Sequence, residues 1–188
     1  MAEEILTKTQ LLTYNQQVSG NIGDDRINQV ILDAQRLDLE PLLGRAFYYE
    51  LWNALDDSPV LTKYSDLRDG TEYTDPNGYT IQFYGILPVI AYFSIARLRL
   101  EQDGFITRSG NKFKEREQSE RIGYKTLEAQ ASADRSKALY YQESLLDYLE
   151  KNKATYPNWN NYSPKTERQS GFELFSINKS ANNGTQNY

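Results

Sequence analysis

The chain has 188 residues, enough for one domain with arms, and a formal net charge of -5 from 26 acidic and 21 basic side chains. Hydrophobic residues make up 39%, so a packed core can form and wholesale disorder is excluded. There is no Cys and no His, which removes thiolate nucleophiles, Cys-ligated metal, His-based triads and HExxH zinc sites.

Residues 1–20 hold two apolar pairs, Ile5-Leu6 and Leu11-Leu12, followed by breakers at Ser19, Gly20 and Asn21. This pattern predicts an extended N-terminal arm or short edge element. The opening residues show no basic stretch before an apolar run, so no secretory signal is expected. Ile27, Val30, Ile31, Ala34 and Leu37 then follow helical spacing and predict a helix over 24–37, capped by Asp24 or Asp25. Asp38 is placed to cap a second, short helix in which Pro41 falls in the tolerant first turn, with Leu42 and Leu43 inward and Gly44 at its end. The run from Arg45 to Leu55 predicts a third helix with Phe47, Leu51 and Leu55 as its stripe and Tyr48 and Trp52 beside it, stopped by Asp56-Asp57-Ser58-Pro59. Leu61, Tyr64 and Leu67 add a further amphipathic turn or two.

Residues 71–83 read differently. Two strand-prone runs flank Asp75-Pro76-Asn77-Gly78, a strong turn with Pro second and Gly fourth. The reading is a β-hairpin with Tyr79, Ile81 and Phe83 on one face. A two-stranded hairpin is marginal alone, so it must lean on helices or on a neighbouring chain. Helix 86–102 is apolar on nearly every side and is predicted to be central, with Ile90 and Phe93 in the core. The ITRSGNK segment that follows reads as a loop turning at Ser109-Gly110. A long helix over 122–152 carries the stripe Tyr124, Leu127, Ala131, Ala138, Tyr141, Leu145 and Leu149. Asp134 interrupts that stripe. It reads either as the stripe turning outward or as a paired interface residue beside Arg135 or Lys137. The helix should stop at Asn152 to Pro157.

The expected fold is therefore mainly α: an elongated helical bundle with a long C-terminal helix and a small β-hairpin insertion. The expected organisation is an N-terminal arm over 1–20, a helical domain over 21–157 and an extended C-terminal tail over 158–188. The tail is polar apart from Trp159, Phe172, Leu174, Phe175 and Ile177, which suit either a plain extension or a segment that orders on a partner.

Chemistry is thin. Asp24/Asp25 read as caps, Asp56/Asp57 as a stop, and Glu115 and Glu117 as part of a solvated face. Asp75 lacks the spaced oxygen ligands of a calcium loop, and the RSGNK stretch lacks a phosphate-loop pattern. No catalytic residue, cofactor or metal site is expected. Residues 1–62 hold 10 acidic and 4 basic residues, and no basic block marks a nucleic-acid groove. No stretch suits a membrane span. The excess is in Tyr, 15 residues, which serves either core packing or protein–protein contact. The candidate interface residues are Tyr73, Tyr79, Ile81, Phe83, Trp159, Phe172, Leu174, Phe175 and Ile177.

The segment INQVILDAQRLDLEPLLGRAFYYELWNAL, 27–55, resembles the opening of phage head–tail connector or adaptor (head completion) proteins, as found in tailed phages of gut bacteria. A second likeness is the apolar helix 86–102, then ITRSGNKFK and a long helix ending in YLEKNKATYP. The resemblance spans about residues 20–157. It implies a mostly helical, non-enzymatic virion protein that forms a ring, usually of twelve subunits, between portal and tail. It also implies assembly in the host cytoplasm, docking of portal and tail or further ring proteins, and a channel that DNA crosses without sequence-specific binding. An acidic wall suits that passage, because phosphates are repelled rather than trapped. Two other readings stand beside it: a helical protein-binding or regulatory protein, and a small enzyme working with two carboxylates, which would have to converge across a pocket.

Overall fold

The computed structural model describes residues 5–15, 22–75, 77–101, 104–107, 110–113 and 124–159. It is the expected helical bundle with a long last helix and a small hairpin.

The first element departs from expectation. Residues 8–14 form a helix, α1 (Lys8–Tyr14), rather than an extended arm. A capping box starts it: Thr7 Oγ1 accepts from the Gln10 amide, and the Gln10 side chain accepts from the Thr7 amide at 2.9 Å. Leu6 and Leu11 are fully buried, so this segment is part of the core. It is tied down by Ile5 N, which donates to Gln35 Oε1 at 2.8 Å, and by Lys8 Nζ, which reaches Asp24 Oδ1 at 2.5 Å.

α2 (Asp24–Ala34) buries Ile27, Val30, Ile31 and Ala34. Its N-cap is Gly23, with no side-chain cap. Asp24 and Asp25 instead sit in the first turn, where negative charge suits the helix dipole. At Gln35–Leu39 the chain widens into a π-helical turn before α3 (Glu40–Leu43). Pro41 explains the widening, since it has no N–H to give the carbonyl four residues back and its ring would crowd that group. The extra residue changes the helical phase: Leu37, expected inward, is exposed, while Leu39 and Leu42 face the core. Asp38 is not the cap of α3, which is Leu39; it pairs with Arg97 at 2.6 Å.

Gly44 (φ +79) ends α3 and opens α4 (Arg45–Asp56), which buries Phe47, Tyr48, Leu51 and Ala54. α5 (Thr62–Asp69) buries Tyr64 and Leu67. Gly70 (φ +98) and Gly85 (φ +78) then meet back to back at the root of the hairpin. A Cβ on Gly85 would lie 2.3 Å from the Arg68 carbonyl oxygen and 2.6 Å from Gly70 N, so no side chain fits there. Between them β1 (Thr71–Thr74) and β2 (Thr80–Phe83) pair antiparallel, Thr71 opposite Phe83 and Tyr73 opposite Ile81.

α6 (Leu87–Glu101) is buried on most sides, as expected for a central helix. Phe93 is only half-buried, whereas Ile90 is fully buried. The segment read as a loop is a second antiparallel hairpin, β3 (Gly104–Thr107) with β4 (Gly110–Phe113). α7 (Tyr124–Lys151) has 28 residues, about 42 Å at 1.5 Å per residue. It packs along α6, with Ala131, Ala138 and Leu145 at one heptad position of the seam and Asp134 and Tyr148 at another. The small alanines let the two backbones approach. Asp134 does not turn outward: it is 2% exposed, and it accepts from Arg99 Nε at 2.5 Å and from Lys137 Nζ at 3.3 Å. The shorter of these contacts comes from the opposite helix, and of the two neighbours expected beforehand it is Lys137 that pairs with it.

After α7, Asn152 Nδ2 caps the Tyr148 carbonyl at 2.8 Å. Tyr156 packs edge-on to Phe47 and donates to the Lys63 carbonyl at 2.7 Å. Tyr156 and Trp159 are both buried, so the helical body runs through Trp159 and not merely to 157.

Candidate interaction surface

The hairpin leans on its own chain. Phe83 stacks flat on Tyr148 with ring centroids 4.0 Å apart, and Tyr73 meets the same ring edge-on at 5.3 Å. The Tyr73 hydroxyl donates to Asp147 at 3.0 Å, and Lys151 closes the group by bonding Asp147 at 2.7 Å. Burial and that carboxylate raise the Tyr73 hydroxyl's pKa, so it stays a neutral donor. Of the four candidate hairpin residues, Phe83 is a core residue and Tyr73 is half-buried, Ile81 is intermediate, and only Tyr79 stands free, 70% exposed. Asp75 holds the turn that presents Tyr79. Its carboxylate accepts from the Tyr79 amide at 2.8 Å and the Asn77 amide at 3.0 Å, and these bonds lower its pKa.

Trp159, the first of the candidate tail residues, is 3% exposed and belongs to the core. Phe172, Leu174, Phe175 and Ile177 lie outside the described residues.

A second aromatic group was not visible as a unit in the sequence. Tyr14 of α1 meets Tyr92 of α6 edge-on at 6.1 Å, and Tyr92 stacks on Tyr141 of α7 at 5.7 Å. Tyr84 and Tyr140 flank Tyr141 at 5.6 and 5.4 Å. The Lys137 ammonium lies 5.2 Å from the Tyr92 ring centre, a cation–π distance. Tyr140 and Tyr84 are 63% and 49% exposed. Burial, then neighbouring hydroxyls, push the Tyr14 and Tyr141 hydroxyls up, so these two stay neutral rings with polar tips. The five residues come from four separate stretches of chain, and only the packing of α1, α6 and α7 collects them.

Carboxylates form no comparable group. Asp24, Asp25, Asp56 and Asp57 are exposed, and among the described residues no set of three or more Asp and Glu side chains could hold a metal ion. No helix among the described residues is long and apolar enough to cross a membrane.

Comparison with known proteins adds one relationship. Residues 39–169 match a family of unknown function, DUF6712, and the chain belongs to that family. No curated protein and no solved structure matches it.

Proposed function

We propose that this protein is a structural subunit of a phage particle: a ring-forming connector between portal and tail that extends the DNA channel and gives tail proteins a platform. The observation that carries this reading is the set of exposed tyrosines on one helical body, Tyr84 and Tyr140 beside Tyr141, and Tyr79 at the hairpin tip. A ring subunit meets one neighbour through one patch and the next through a different one, which calls for two unlike contact surfaces. Exposed tyrosines suit such contacts, being large, apolar in body and polar at the tip. The net charge of -5 favours passage of DNA over retention. The absence of His and Cys from the sequence agrees with a non-enzymatic role.

The test is the mass of the native full-length protein, alone and with a portal protein from the same source. A particle near twelve times the 21.7 kDa subunit, or a closed ring in micrographs, is the expected result. Monomer or dimer under both conditions refutes the reading.

A further inference from the structure

We infer that the cleft between the π-turn, α6 and α7 receives the Phe172–Ile177 segment of an adjacent copy of this chain. The inference rests on the ring reading above, which supplies the adjacent copy. The cleft, of about 270 Å³, is lined by Asp38, Phe93, Arg97, Arg135 and Leu139. It lies just below the roughly 300–1,000 Å³ common for small-molecule sites, so it suits side chains of a peptide better than a cofactor.

Its chemistry is specific. Phe93 is half-buried and Leu139 is 49% exposed, so the walls are apolar. Arg97 gives one nitrogen to Asp38 at 2.6 Å, while its buried Nε meets no acceptor among the described residues. Arg135 is exposed and has no ion-pair partner among the described residues. Two guanidinium groups against one carboxylate make this a positive, apolar cleft on a chain whose overall charge is negative. The matching occupant is a short apolar segment that carries a carboxylate.

The chain contains that segment. After Trp159, Glu173 is the carboxylate placed between two large apolar residues, in the run Phe172-Glu173-Leu174-Phe175-Ser176-Ile177. Residues 160–171 extend to about 40 Å at 3.3–3.6 Å per residue. Arg135 and Leu139 precede the end of α7 at Lys151 by 16 and 12 residues, or about 24 and 18 Å along the helix. The linker therefore reaches past the cleft of its own subunit. The helical body closes at Trp159, which is 3% exposed. In a closed ring every copy gives one segment and receives one, and tethering within the ring raises the local concentration of each.

The lack of Cys makes the test direct. Ser136→Cys, at an exposed position of α7 beside Arg135 and near Leu139, and Ser176→Cys are made in separate full-length chains and mixed under mild oxidation. Covalent heterodimers are expected. Glu173→Arg should lower their yield about tenfold, the loss of one charge-assisted contact, and Arg135→Glu in the other chain should restore it. Hydrogen exchange of unmodified protein and of Glu173→Arg supplies a second readout, with protection over 133–140 expected only in the former. Closure within single chains carrying both cysteines, with no heterodimer from the mixture, would put the segment in its own cleft and overturn the inference. Ring mass with neither cross-link nor protection would overturn it while leaving the ring reading intact. Monomer mass would remove both.

Discussion

Asp134 is a carboxylate inside an apolar seam, and its worth can be measured. Its side chain is 3% exposed, and its partner Arg99 is 17% exposed. Removing one member of such a pair strands the other charge away from water, a loss of about 3–5 kcal/mol. Asp134→Ala should fall at the lower end, because Gln130 Oε1 also accepts from Arg99 at 2.9 Å and would still hold the guanidinium. A loss of about 3 kcal/mol lowers Tm by about 6–12 °C in a protein of this size. Lys137 contributes little, being 55% exposed, so Lys137→Ala should change stability by less than about 0.5 kcal/mol. Replacing both charges, Arg99→Leu with Asp134→Leu, removes the desolvation problem with the pair and should cost less than Asp134→Ala alone. Guanidinium denaturation of Asp134→Leu, Arg99→Leu and their double gives the cycle. If Asp134→Ala costs under about 1 kcal/mol, or if the double is worse than either single, the pair is not the buried element described here.

Three further outcomes are expected. Ile90→Ala, at a fully buried position, should cost about 2–5 kcal/mol in chemical denaturation, and Phe93→Ala clearly less, because that ring is half-buried at the cleft; the reverse order would contradict the packing of α6. Gly85→Ala forces a Cβ against the Arg68 carbonyl at a φ of +78°, so it should cost more than about 1 kcal/mol and loosen the hairpin, measurable as a lower Tm and faster amide exchange at Tyr73 and Ile81. Asp75 has a pKa lowered below its ordinary 3.8 by backbone donors, so its contribution to the turn is complete above that value and is lost as pH falls through the lower folded value; amide shifts of Asn77 and Tyr79 followed by NMR should show a midpoint below 3.8, and a midpoint at or above it would contradict the bonding.

The helices that periodicity could define were legible: α2, α4, α6 and α7 each repeat apolar residues at helical spacing over ten or more positions. The first hairpin was legible through Asp75-Pro76-Asn77-Gly78. α1 was missed because seven residues give too little periodicity, although Thr7 and Gln10 carried a capping signal. The π-turn left its only trace in Pro41, and its effect on Leu37 appears once the phase is known. The second hairpin hid in a polar stretch with no apolar alternation. Asp134, Trp159 and the tyrosine row share a different difficulty. Each is defined by a partner far off in the chain: Arg99 for Asp134, and α1 and α6 for Tyr141. Local pattern reading cannot supply such pairings, and so it assigned Trp159 and Phe83 to a surface when both fill the interior.

The core is clasped from both sides of the sequence, Leu6 and Leu11 at one side and Tyr156 and Trp159 at the other. During synthesis the seat of Leu11 does not exist until α6 has emerged, since α1 rests on α6. The socket around Phe47 and Tyr148 stays open until Tyr156 follows. At ribosomal speeds of about 5–20 residues per second, the wait from Phe47 to Tyr156 lasts about 5–22 s. A chain broken off within α7 keeps most of its helices yet carries an unfilled apolar socket beside Phe47. A body interrupted before Tyr156 is therefore expected to be less stable, and more open to proteolysis, than the complete one.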